Sequence, residues 1–93
     1  MLSQIPQDVS KLPQDLTDQE ILRVGIIAEL DAVSLYEQLA AMTDDPDIKE
    51  ILKDIAKEEK THVGEFQALL LERDEEQVEE LEAGKEEVKE ELR

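Results

Sequence analysis

Three residues of this 93-residue chain have the types and spacing to hold a metal: Glu29, Glu59 and His62. Glu59 and the chain's single histidine lie three apart in AKEEKTH (56–62), so on a helix they stack one turn apart on one face. The neighbouring turns of that face are Ile, Leu and Phe. Burying an unpaired charge there costs several kcal/mol. A divalent cation, completed by a second chain, would offset that cost.

The elements that must position these residues are legible from periodicity. TDQE (17–20) reads as a capping box, with Thr17 bonding the amide of Glu20 and Glu20 reaching back. From there a helix is predicted to about Met42, its inner stripe running Leu22, Ile26, Glu29, Val33, Tyr36, Ala40. TDDPD (43–47) breaks it: Asp45 suits an N-cap, Pro46 the first helical position, and Asp47 the positive end of the dipole. A second helix is predicted to about Arg73, with the stripe Ile48, Leu52, Ile55, Glu59, His62, Phe66, Leu69. DEEQ (74–77) can cap a shorter third helix that ends near Gly84, and residues 85–93 are again helix-favouring. The narrow stripe Val78, Leu81, Val88, Leu92 makes that acidic segment either a solvated tail or a helix that docks on a neighbouring subunit. The expected organisation is an irregular arm (1–16), a helical hairpin (17–73) and an acidic C-terminal helical segment (74–93). No strand pattern, phosphate loop or internal repeat appears.

A short connection makes the two long helices antiparallel neighbours. Glu29 and Glu59 each stand fifteen residues from position 44, so both lie about 22 Å from the turn. They are at one height on the inner stripes, and ordinary core packing does not predict that. One lone Glu facing one Glu-x-x-His is half of a carboxylate-bridged di-metal site in a four-helix bundle. A twofold dimer would supply the other half, and four carboxylates with two neutral imidazoles match two divalent cations. Such a set suits Fe(II), while zinc and manganese also bind it. Tyr36 lies one heptad past Glu29, as core filler by spacing or as a hydrogen-bonding neighbour of the site. A plain hairpin, with Glu59 and His62 on a partly exposed flank, is the bland alternative.

Composition bounds what else the chain could be. A formal charge of −16 argues against nucleic acid and anionic membrane surfaces as partners. The absence of cysteine removes disulfides and thiolate sites, and fits a reducing cytosol. No secretory signal is visible, and the longest apolar stretch, Val24 to Ala28, is too short to span a bilayer. With one Phe and one Tyr, a thin aliphatic core is expected, to be completed by a partner.

AELDAVSLYEQLA (28–40) followed by EEKTHVGEF (58–66) resembles the encapsulated ferritins, the half-length ferritin-like proteins held inside encapsulin nanocompartments, and among them the archaeal form joined to its shell protein. The likeness covers about residues 18–92. It implies an all-α fold in which the hairpin and short C-terminal helix dimerise into a ferritin-like four-helix bundle. It also implies a ferroxidase that converts Fe(II) to Fe(III) at a di-iron centre between two subunits. Glu29, Glu59 and His62 match the iron ligands, Tyr36 an aromatic residue beside the centre, and Asp31 an acidic residue where metal enters. The implied assembly is a ring of homodimers, typically a decamer, in the cytoplasm within an encapsulin shell that stores the oxidised iron. Leu35 stands where some relatives carry Trp, and Ala28 where some carry a further acidic residue. KEEVKEELR lacks the Gly/Leu-rich tail of many cargo proteins, so loading by fusion to the shell is one expectation. Two other functions remain: a non-catalytic module whose metals only staple an assembly, and an acidic helical adaptor without metal.

Overall fold

The computed structural model describes residues 13–93, which form three helices: α1 (Gln14–Met42), α2 (Pro46–Leu71) and α3 (Glu75–Glu91). Among these residues there is no strand, and no helix is long and apolar enough to cross a membrane. The expected arm lies mostly outside the described residues. Its last three positions, Gln14 to Leu16, are the first turn of α1.

That earlier start corrects the capping box. The N-cap is Pro13, with extended backbone and no side-chain cap. Proline has no N–H to satisfy, and its fixed φ leads directly into a helix. Asp15 in the first turn then meets the positive end of the dipole. Thr17 lies inside the helix, where its hydroxyl donates to the Pro13 carbonyl at 3.1 Å.

The second boundary follows the sequence. One Asp45 carboxylate oxygen accepts from the amides of Asp47 (2.9 Å) and Ile48 (3.3 Å), and Pro46 opens the helix. A connection of three residues, Thr43 to Asp45, turns α2 back along α1. The antiparallel pairing is fixed along its length. The Gln19 amide donates to the Arg73 carbonyl at one end, and Lys60 pairs with Glu37 toward the other. Between them the helices approach closely at Gly25, where a Cβ would sit 3.1 Å from the Phe66 ring.

Leu22, Val33 and Ala40 of α1 are buried, as their stripe predicts. On α2 the stripe needs correction. Ala56 and Leu70 are buried, while Ile48 and Leu69 are 51% and 43% exposed. The seam runs between the predicted column and its neighbour, because positions 56, 63 and 70 face α1 one residue round from 48, 55, 62 and 69. A hairpin has only one packing partner, so its second apolar column stays open.

α3 also departs from expectation: it continues through Gly84 without a break. Asp74 caps it by accepting from the Gln77 amide at 3.1 Å. One interior glycine costs about 1 kcal/mol relative to alanine. Ion pairs spaced three apart, Lys85–Glu82 and Lys89–Glu86, lie beside it and oppose that cost. The Asp74 carboxylate holds Arg23 of α1 at 2.8 Å, tying the base of α3 to the hairpin. Near that base Gln77 and Leu81 of α3 line a groove with Ile26, Ile27, Leu70 and Leu71 of the hairpin, and the molecule measures 48 × 43 × 19 Å.

The two glycines give a paired test. No atom lies within 4 Å of a Cβ added at Gly84, so Gly84→Ala should raise stability by about 1 kcal/mol. Gly25→Val should lower it by about 1–3 kcal/mol, because the new methyls press on Phe66. Urea midpoints followed by circular dichroism should move in opposite directions. Movement the same way for both would mean that the approach at Gly25 does not limit packing.

Candidate metal centre

Glu29 reaches the α1–α2 seam between the turns of Ile26 and Val33, and Glu59 and His62 reach it from successive turns of α2. His62 Nδ1 lies 3.5 Å from Glu29 Oε2 and 3.4 Å from Glu59 Oε2. One ligand-type atom from each of the three residues falls within 4.8 Å of the others, the one such cluster among the described residues. The height match read from the sequence therefore holds in the fold.

The electrostatics of this cluster are not closed by protein groups. Glu29 Oε2 is shut off from solvent and receives no hydrogen bond within the described residues. At 3.5 Å the His62 ring can contribute attraction when protonated, but not a hydrogen bond to this oxygen. An unsatisfied buried carboxylate oxygen is a standing cost, larger than that of a neutral group.

A divalent cation fits this arrangement. Two ligands of one ion at about 2.1 Å each lie at most about 4.2 Å apart. A pair at the 4.8 Å limit would have to draw in by about 0.6 Å to stand opposite across one ion, and by about 1.2–1.4 Å in trigonal or tetrahedral geometry, movements that side-chain torsions supply. Carboxylate and imidazole donors suit Fe(II), Mn(II) and Zn(II) alike. The ligands that this hairpin brings together number three, too few for two ions.

The open side of the cluster is a single face. His62 keeps 43% of its side chain exposed, while Glu29 and Glu59 keep 19% and 20%. The histidine belongs to the α2 column that includes the exposed Ile48 and Leu69. This group of three ligand-type residues thus lies on an apolar flank that the hairpin leaves bare.

Two other residues singled out in the sequence do not join the cluster. Tyr36 is half-buried on α1, two turns from Glu29, and no hydrogen bond among the described residues links it to the three. Asp31 is also half-buried and lies about 200° around α1 from Glu29. Arg23 and Asp74, which orient α3, carry no sequence signal beyond the N-cap.

Comparison with known proteins adds a second line. The EncFtn-like family model matches residues 4–83. The chain is 63% identical over 71 residues to the ferritin-like–encapsulin shell fusion protein of Pyrococcus furiosus, covering 76% of this chain and 21% of that protein. It is 39% identical over 71 residues to the encapsulin nanocompartment cargo protein EncC of Myxococcus xanthus, covering 73% of this chain and 55% of that one. The chain thus spans about a fifth of one curated relative and about half of the other. Its fold matches the crystal structure of the encapsulated ferritin domain from Pyrococcus furiosus with a TM-score of 0.77 at 52% identity, over 97% of this chain and 86% of that one.

Proposed function

The chain belongs to the EncFtn-like family, and from this premise we propose that it is a ferroxidase that works as a homodimer. Each chain contributes Glu29, Glu59 and His62, and two Fe(II) ions bind between the copies as substrate. The observation that carries this reading is the half-site itself: a buried, unsatisfied Glu29 oxygen beside a histidine on a bare apolar flank. A second copy related by a twofold axis would cover the flank and double the ligands, giving four carboxylates and two imidazoles around two dications. Each Fe(II) gives up one electron, dioxygen accepts the pair, and the carboxylates hold the greater charge of Fe(III).

Around the centre, Asp31 serves iron arrival and Tyr36 lies beside the ligands without joining them. The −16 charge of each chain draws cations toward the assembly, a pull that weakens with salt. The dimers assemble into a ring, a decamer, and act in the cytoplasm inside an encapsulin nanocompartment whose shell stores the product. One relative named as a ferritin-like–encapsulin shell fusion and another named as an encapsulin nanocompartment cargo protein support that setting.

Anaerobic Fe(II) titration, with the mass of the species followed by light scattering, tests the reading. The expected result is one iron bound per chain, a mass at saturation that is a multiple of the dimer's, and oxidation when air is admitted. Asp31→Ala should keep that stoichiometry and slow oxidation at low iron. Iron that binds at this stoichiometry but stays ferrous in air would identify a metal staple rather than an enzyme. Protein that binds no iron would leave the acidic adaptor.

A further inference from the structure

Ten residues of this chain are cationic against twenty-six acidic ones, yet Lys49, Lys53, Lys57 and Lys60 stand together on one side of α2. With Ala56 taken as the direction of the seam and about 100° per residue, they fall between about 20° and 100° round the helix. Asp47, Glu50, Asp54 and Glu58 of the same stretch fall between about 120° and 200°. Glu59 and His62 lie on the other side of the seam, about 60° and 120° from Ala56 in the opposite sense. The helix is thus sorted by charge, and its basic strip is a separate place from the candidate metal centre.

That strip rims a cleft of about 450 Å³ between α1 and α2 near the hairpin turn, with Ala40, Ala41 and Ala56 in its floor. Ala40 and Ala56 are buried, so the floor is closed and apolar. Lys60 is held by Glu37 at 3.2 Å, and Glu37 also lines the cleft. No carboxylate of the described residues lies within 4.0 Å of the amines of Lys49, Lys53 and Lys57. Lys49 moreover stands near the positive end of the α2 dipole, where a cation is disfavoured. Three amines are therefore held in one another's field with no internal counter-charge, in a chain that has carboxylates to spare.

We propose that this lysine-rimmed cleft binds a short linear oligophosphate, its successive phosphates meeting successive ammonium groups along α2. The lining offers no arginine fork, hydroxyl or side-chain amide, so recognition rests on point charges. Lys49 to Lys60 spans about 16 Å of helix axis, which one phosphate or carboxylate cannot cover, so the ligand carries several anionic groups in a row. No aromatic ring lines the cleft to stack a base, which favours a bare phosphate chain over a nucleic acid. The acidic excess does not cancel the attraction. Asp47, Asp54 and Glu58 point across a helix about 10–12 Å in diameter, beyond the Debye length of about 8 Å at physiological ionic strength, whereas the amines act at contact. Glu37 is neutralised by Lys60. The site needs no iron and stands whether or not the chain is a ferroxidase.

Isothermal titration calorimetry of tripolyphosphate into the full chain tests this, with EDTA present so that no metal bridges phosphate to carboxylates. Wild type should bind one tripolyphosphate per chain, and the affinity should fall about tenfold or more between about 0.1 M and 1 M salt, as the Debye length drops from ~10 Å to ~3 Å. Orthophosphate, which reaches fewer amines, should bind about tenfold or more weakly, and K49Q/K53Q/K57Q should weaken tripolyphosphate by about as much. K85Q/K89Q, which removes charge on α3, should stay within about twofold of wild type, because a distant charge is screened. Glu37→Gln frees Lys60 and removes a carboxylate from the cleft, so it should bind about threefold or more tightly, a gain that poor folding cannot produce. Far-UV circular dichroism checks that each variant is helical. Absence of binding to wild type, equal affinities for orthophosphate and tripolyphosphate, or a K49Q/K53Q/K57Q variant no weaker than K85Q/K89Q would overturn the proposal. So would Glu37→Gln with unchanged or lower affinity.

Discussion

Glu29→Ala and His62→Ala are each expected to slow Fe(II) oxidation by about 100-fold or more while leaving helix content unchanged. Mutating a group that merely orients a metal ligand costs about 10–100-fold in affinity or activity, and these two side chains are the proposed ligands themselves. In a twofold site each substitution removes two ligands, one from each chain. The helices should persist because neither residue caps or tethers one: α2 is capped by Asp45 and α3 by Asp74, and the hairpin is tied through Gln19, Arg23 and Lys60. Stopped-flow absorbance of ferric product, beside far-UV circular dichroism, gives both readouts. Oxidation at wild-type rates in either variant would reject the site assignment. Glu59→Ala belongs to the same series, because its oxygen lies as close to His62 as that of Glu29.

The metal cluster was legible in the sequence because it rests on arithmetic that folding preserves. Helix rise is constant, so equal residue counts on either side of a short turn set Glu29 and Glu59 level. The resemblance of 28–40 and 58–66 to the encapsulated ferritins pointed the same way, and family and fold bear it out. Counting also sets Asp31 about 200° around α1 from Glu29 and so off the cluster, whereas for Tyr36 it reaches its limit. Spacing fixes which stripe a residue occupies but not which atoms it touches, and neither residue joins the cluster.

Boundaries were read less well where two signals competed. At the start of α1 the capping box at Thr17 is locally plausible, but Pro13, which has no N–H of its own and a φ fixed in the helical range, offers an earlier start. At Gly84 the C-cap signal is real, yet the flanking Glu and Lys favour helix and no turn-promoting residue follows. The α2 stripe was displaced by one column because periodicity finds an apolar arc without saying which part meets the partner helix. Ile48 and Leu69 fall on the part that α1 does not cover.

Glu29→Leu should make the metal-free protein more stable and abolish its stabilisation by metal. In the wild-type chain a carboxylate sits on the seam between Ile26 and Val33, with one oxygen buried and unsatisfied. In the proposed dimer, two such carboxylates would face the partner's pair across a site that holds no cation until iron arrives, and each would repel the others. Replacing buried ionic groups by apolar residues of similar volume is often neutral or stabilising, by about 1–4 kcal/mol. For a domain of this size each kcal/mol moves the melting temperature by about 4–8 °C. Wild type should instead gain about 2.7 kcal/mol when free Fe(II) stands at about a hundred times its dissociation constant, since only the folded dimer assembles the ligands. Anaerobic melting scans at equal chain concentration, with EDTA and with Fe(II), should therefore cross. Glu29→Leu melts higher without metal, and wild type rises toward or past it with metal. A lower melting temperature for metal-free Glu29→Leu would mean that Glu29 stabilises the hairpin itself, and the buried oxygen would no longer argue for a cation.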